Sequence, residues 1–144
     1  MKKFMIMLSC LFGMAVMATA EDKPISFDKL PLEAKNFINV TFQDVKVLYA
    51  AVDDDLIRPD YKVALENGFR IQFTNSGALE KIESNAAAIP EGIVPYQIMD
   101  YVKHHYPSAT CVEYEVLRKG YEVKLSNRLE LKFNSKFHVV EIDD

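Results

Sequence analysis

Apolar residues follow two periods in this chain, and the periods alternate along it. Leu30, Ala34, Phe37, Ile38 and Thr41 recur at the three-and-four spacing of one helical stripe, and Val94, Ile98, Tyr101, Val102 and His105 do so again further on. Pro31 and Pro95 suit the first helical position, where a missing N–H leaves no bond unmade, and Pro107 blocks continuation of the second helix. After each stripe the pattern changes to strands. Residues 45–52 and 109–117 are rich in β-branched and aromatic side chains. Tyr61, Val63 and Leu65 then alternate with Lys62, Ala64 and Glu66, and Phe69, Ile71 and Phe73 with Arg70, Gln72 and Thr74. Asn67-Gly68 between them is a strong hairpin signal, and Asn75-Ser76-Gly77 turns the chain into a last strand over 79–83.

This series occurs twice. Tyr61-Lys-Val-Ala-Leu-Glu-Asn67 aligns with Tyr121-Glu-Val-Lys-Leu-Ser-Asn127, and Phe69, Ile71, Phe73, Leu79 and Ile82 fall on Leu129, Leu131, Phe133, Val139 and Ile142. Upstream, Leu30-Pro31 falls on Val94-Pro95, Phe37-Ile38 on Tyr101-Val102 and Phe42 on Tyr106, with the register changing only at the polar loop 53–60. The pattern predicts an α+β fold of two tandem units, 28–84 and 89–144, each one helix followed by a four-stranded antiparallel β-meander. Phe37, Ile38, Phe73, Tyr101, Val102 and Phe133 are the predicted core. One face of each sheet would lie under its helix and the other would be polar.

Residues 1–20 have the form of an export signal. Lys2 and Lys3 precede an apolar run from Phe4 to Met17, and Ala18-Thr19-Ala20 places small residues before a cleavage point at Glu21. The run is short for a membrane span, so no span is expected once the signal is removed. An uncleaved anchor and a lipid-modified Cys10 are the alternatives, and Met7-Leu8-Ser9 fits the latter poorly. Cleavage predicts a periplasmic or secreted protein. It also leaves 15 of the 17 basic residues against 21 acids, a net charge of about −6 with no basic block, which argues against nucleic acid as a partner. Cys111 would be the sole remaining cysteine, so the fold must rest on its core rather than on a disulfide.

Candidate chemistry is sparse. The chain carries no nucleophile elbow, no zinc-protease motif, no glycine-rich phosphate loop and no paired cysteines, so catalytic residues, metal ligands and cofactors are all predicted to be none. His104 and His105 are adjacent and diverge on a helix; His105, on the apolar stripe, is predicted to be packed and hydrogen-bonded, and His138 exposed. Asp53, Asp54, Asp55 and Asp60 lack the alternation, glycine and terminal glutamate of a calcium loop and are predicted to be a solvated hairpin. Asn39-Val40-Thr41 fits a glycosylation sequon but lies inside the predicted helix. A Cys111–His105 pairing keeps open a small hydrolase or metal-dependent enzyme as the alternative function, beside a structural envelope component. The remaining candidates are the outward sheet positions: Lys62, Arg70 and Gln72 in the first unit, Glu122, Lys124, Glu130 and Lys132 in the second. Mixed charges there serve solubility, or form a binding surface.

The repeated plan resembles that of a known family. A Leu/Val-Pro helix ends near an aromatic (Phe42, Tyr106), Tyr-x-Val-x-Leu-x-Asn follows, and strands ending at Phe73 and Phe133 lead to Ile82 and Ile142. This is similar to the exported PepSY-like proteins of Bacteroides-type bacteria, whose fold resembles beta-lactamase inhibitory protein. The resemblance implies two helix-plus-sheet units outside the cytoplasm and no agreed activity, peptidase inhibition or other protein binding being the usual suggestion; the twin sheets and the missing catalytic motifs favour a non-enzymatic protein-binding module, in one form an inhibitor. The partner would be another envelope or extracellular protein. The matching positions are core and turn residues, so no functional residue carries over. Arg128, where the first unit has Gly68, departs from the pattern and puts the turn type in question.

Overall fold

A computed structural model of the protein describes residues 22–53 and 59–144. In them β1 (Asp22–Pro24) and a 3-10 turn (Phe27–Lys29) lead into α1 (Leu32–Thr41), followed by β2 (Val47–Asp53), β3 (Asp60–Leu65), β4 (Arg70–Phe73) and β5 (Leu79–Glu83). Then come α2 (Tyr96–His105), β6 (Cys111–Leu117), β7 (Gly120–Leu125), β8 (Glu130–Asn134) and β9 (Val139–Asp143). Pro31 and Pro95 stand at the N-caps, one position before the predicted first turn. Their carbonyls accept the opening helical hydrogen bonds from Lys35 and Met99.

The fold is not a helix with its own four-stranded meander, repeated. All nine strands join in one antiparallel sheet in the order β1 to β9, so the described chain is mostly sheet with a small helical part. Two features overturn the predicted architecture. β1 adds to the edge of β2, and β5 pairs with β6 through Lys81↔Glu115, Ile82↔Tyr114 and Glu83↔Glu113. The second pairing has a clear physical cause. A free β5 edge would leave Ile82 against water, whereas in the joined sheet Ile82 is 0% exposed and Tyr114 is buried beside it.

One face of the sheet is apolar from side to side. Ala50, Val63, Ile71, Ile82, Tyr114, Val123, Leu131 and Ile142 stand opposite one another in register across eight strands. Ala34 and Ile38 of α1 and Ile98 and Val102 of α2 complete a single core cluster with all of these but Ile142, which stays exposed at the β9 edge. Ile38, Phe73, Val102 and Phe133 are buried as predicted, while Phe37 and Tyr101 are half-buried at the rim.

The turns explain how two sequences give equivalent hairpins. Gly68 donates to the Leu65 carbonyl and Arg128 to that of Leu125, while Asn67 and Asn127 accept through Oδ1 from Phe69 and Leu129. Both turns need a left-handed residue, and Arg128 adopts φ 74° where Gly68 has φ 93°. The turn type is therefore kept, and arginine carries the strain.

Candidate functional site

The polar face is one continuous surface, not two. Register sets Lys62, Gln72, Lys81, Glu115, Glu122, Lys132 and Glu141 in one row across seven strands. A neighbouring row runs through Tyr49, Ala64, Arg70, Glu83, Glu113, Lys124, Glu130 and Asp143. All seven predicted surface residues lie in these two rows, because residues two apart on a strand share a face.

They do not share one site. A depression of about 320 Å³ lies over β3 and β4, and Lys62, Arg70 and Gln72 line it. Glu122, Lys124, Glu130 and Lys132 lie beyond the β5–β6 seam and do not line it. The small side chain of Ala64, between Tyr49 and Arg70 in register, leaves the space open. Tyr49, 42% exposed, forms one wall; Lys81 and Glu83 form the opposite one. Lys62 Nζ lies 3.1 Å from Asp22 Oδ2, Arg70 Nε 3.2 Å from Glu83 Oε1 and Lys81 Nζ 3.9 Å from Glu113 Oε2. These are exposed or half-exposed pairs, which add little stability and leave the cations available to a partner.

Beside the depression the face is acidic. Glu83 and Glu113 stand opposite each other at the seam. Burial, then the bond to Glu83, raises Glu113 above the ordinary carboxylate range. Burial acts on Glu83 too, but its bonds to Glu113 and Arg70 and the charge of Lys81 hold it below that range. Glu80 is raised by burial and by the charges of Asp60 and Glu115. Glu122 is raised by burial, with Glu130 and Glu115 adding to it against Lys132. Lys81, Glu83, Glu113 and Glu115 were absent from the predicted set. Their alternation was readable; the pairing of β5 with β6 that gathers them was not.

The alternative catalytic residues do not converge. Cys111 is 3% exposed, its thiol donates to the Glu113 carbonyl, and burial pushes it up to about 12. His105 is exposed, contrary to its predicted packing, because the stripe ends at Val102 and leaves the ring stacked outside on Tyr101 at 3.9 Å. Its Nδ1 bonds the Tyr101 carbonyl, and His104 Nδ1 that of Asp100. His138 is exposed as predicted. Among the described residues no group of three or more His, Cys, Asp or Glu side chains gathers as metal ligands. Asp53 and Asp60 face each other across β2 and β3; Asp54 and Asp55 lie outside the described residues, as does the predicted signal.

A family model with the description "Putative beta-lactamase-inhibitor-like, PepSY-like" matches residues 16–81 and again residues 59–141. The chain belongs to the PepSY-like family. Solved structures agree with that membership. A protein from Bacteroides vulgatus, described as a putative periplasmic protein of the DUF2874 family, is 36% identical with a TM-score of 0.83, over 88% of this chain and 99% of that one. A protein from Bacteroides thetaiotaomicron, described as a putative calcium-regulated periplasmic protein, is 39% identical with a TM-score of 0.82, over 85% and 97%. A second Bacteroides vulgatus protein, described as periplasmic and of unknown function, is 30% identical with a TM-score of 0.81, over 85% and 99%. No curated protein matches the chain. No helix among the described residues of this PepSY-like protein is long and apolar enough to cross a membrane.

Proposed function

We propose that the protein is an exported, non-enzymatic binding module that holds another envelope or extracellular protein against the open face of its sheet. The observation that carries this is the depression over Ala64, walled by exposed Tyr49 and rimmed by Lys62, Arg70 and Lys81. An aromatic wall on a rigid sheet, ringed by cations, is the composition of a protein-recognition surface. The inhibitor-like description of the family and the periplasmic descriptions of the similar structures support the same reading. So does the signal-like segment before Glu21. Inhibition of a peptidase or other enzyme is its finer form. Buried, protonated Cys111 gives the hydrolase alternative no nucleophile.

The test is capture of a partner from the cell envelope by tagged protein, compared with Lys62→Glu/Arg70→Glu. Loss of a specifically captured protein, with melting within about 1–2 °C of wild type because both ion pairs are exposed, supports the reading. Undiminished capture overturns it.

A further inference from the structure

β5 and β9 are built alike but finished differently. β9 meets β8 through Leu131↔Ile142, Lys132↔Glu141 and Phe133↔Val139, as β5 meets β4 through Ile71↔Ile82, Gln72↔Lys81 and Phe73↔Leu79. Both pairs are irregular at the same place, just before Phe73 and Phe133. The outer edge of β5 is then covered by β6, with Tyr114 beside Ile82. Among the described residues nothing pairs with the outer edge of β9. Ile142 is consequently 50% exposed where Ile82 is 0% exposed, and Val140 is 61% exposed. An exposed, apolar edge strand with unpaired N–H and C=O groups is a template for another strand.

Charge selects what that strand is. Glu141 and Asp143 alternate with Ile142 on the open-face side, and Asp144 follows. A second copy pairing β9 against β9 would set these carboxylates against each other, which disfavours it. The β1 edge of a second copy offers Asp22 and Pro24, another acid and a residue with no N–H to give. We infer that the free edge of β9 takes an extended segment of another protein in which Lys or Arg alternates with apolar residues, added as a tenth strand. The segment's apolar side chains would cover Ile142 as Tyr114 covers Ile82, and its cations would face Glu141 and Asp143.

The site is separate from the open-face depression and is tested separately. The probe is a seven-residue synthetic peptide of alternating Arg and Val, titrated into 15N-labelled protein. Amide shifts confined to β8 and β9 are expected. A peptide with Glu in place of Arg should bind at least tenfold more weakly, and Glu141→Lys/Asp143→Lys should reverse that order. Methylating the backbone nitrogens of one alternate set of residues should abolish binding while methylating the other set leaves it, since only one side of an added strand bonds the sheet. Lys62→Glu/Arg70→Glu should bind the peptide as wild type does. Shifts centred on the depression or the helices, indifference to both methylations, equal affinity for the two peptides, or self-association through β9 would each overturn the inference.

Discussion

Phe37 meets Phe73 edge-on, with ring centroids 5.7 Å apart and planes at 76°. The ring on α1 thereby braces the helix against β4. Tyr101 on α2 meets Phe133 on β8 in the same way, at 5.7 Å and 86°. Each pair joins a half-buried helix residue to a fully buried strand residue, a geometry that adds to the area the rings bury. Phe37→Ala and Tyr101→Ala are each expected to cost about 2–3 kcal/mol, below the range for a fully buried ring because both are partly solvated. One sheet and one core link the two pairs, so urea melts followed by tyrosine fluorescence and by far-UV circular dichroism should coincide in both variants. Two separated transitions would show that the halves unfold independently despite the β5–β6 seam.

The strands were legible because alternation tells which face a side chain takes, as with Lys62 against Val63 or Lys132 against Leu131. Alternation does not tell which strand lies next door. Glu83 facing Glu113 depends on a pairing across a helix and two loops, and no local pattern reports it. β1 was illegible for a different reason: Asp22-Lys23-Pro24 has no apolar residue that prefers a sheet, and it stays exposed. The depression was half legible. Lys62, Arg70 and Gln72 follow from period two, whereas Tyr49 stands exposed across from Ala64 because β2 has a register shift between Val47 and Tyr49.

Cys111 provides a reporter of global opening. In protein beginning at Glu21 it is the only thiol, it is buried, and burial pushes it up to about 12. A disulfide reagent at pH 8 should leave it unmodified in the native state and modify it at the rate of unfolding once denaturant is added. Fast labelling of the native protein would mean that the start of β6 opens locally.

Arg128 holds φ 74° in a turn whose counterpart is Gly68. Arg128→Gly removes the left-handed strain but loosens the unfolded chain, so the gain is the difference of the two, about 0.5–1 kcal/mol. Asn127 keeps its bond to Leu129 in either case. Denaturant melts at constant slope check this, and a loss of stability would show that the Arg128 side chain contributes more than its backbone costs.

The last expectation concerns pH and rests on the seam. Glu113 is raised first by burial, then by the bond it shares with Glu83 and by the Glu83 charge, against the pull of Lys81 and Lys124. Glu80 and Glu122 are raised too, burial leading in each. A carboxyl raised on folding favours the fold fully below its unfolded value, and that contribution is lost as pH climbs through the folded one. Glu83, lowered, does the reverse: its contribution is present above the ordinary value and lost as pH falls through its own. Going from pH 4 to pH 7, therefore, Glu113, Glu80 and Glu122 each withdraw stability while the contribution of Glu83 becomes complete. Glu113→Gln removes one of these losses. The amide is neutral at every pH, so opposite Glu83 it never acquires the half-buried charge. The variant should melt with wild type near pH 4 and above it at pH 7, by no more than about 3 °C, since roughly 1 kcal/mol moves a domain of this size by that much. Its gain should grow when Lys81→Met is added to both proteins, because without Lys81, 3.9 Å away, the wild-type Glu113 charge loses one of the cations that favour it. A gain that shrinks would show that Lys81 does not favour the Glu113 charge.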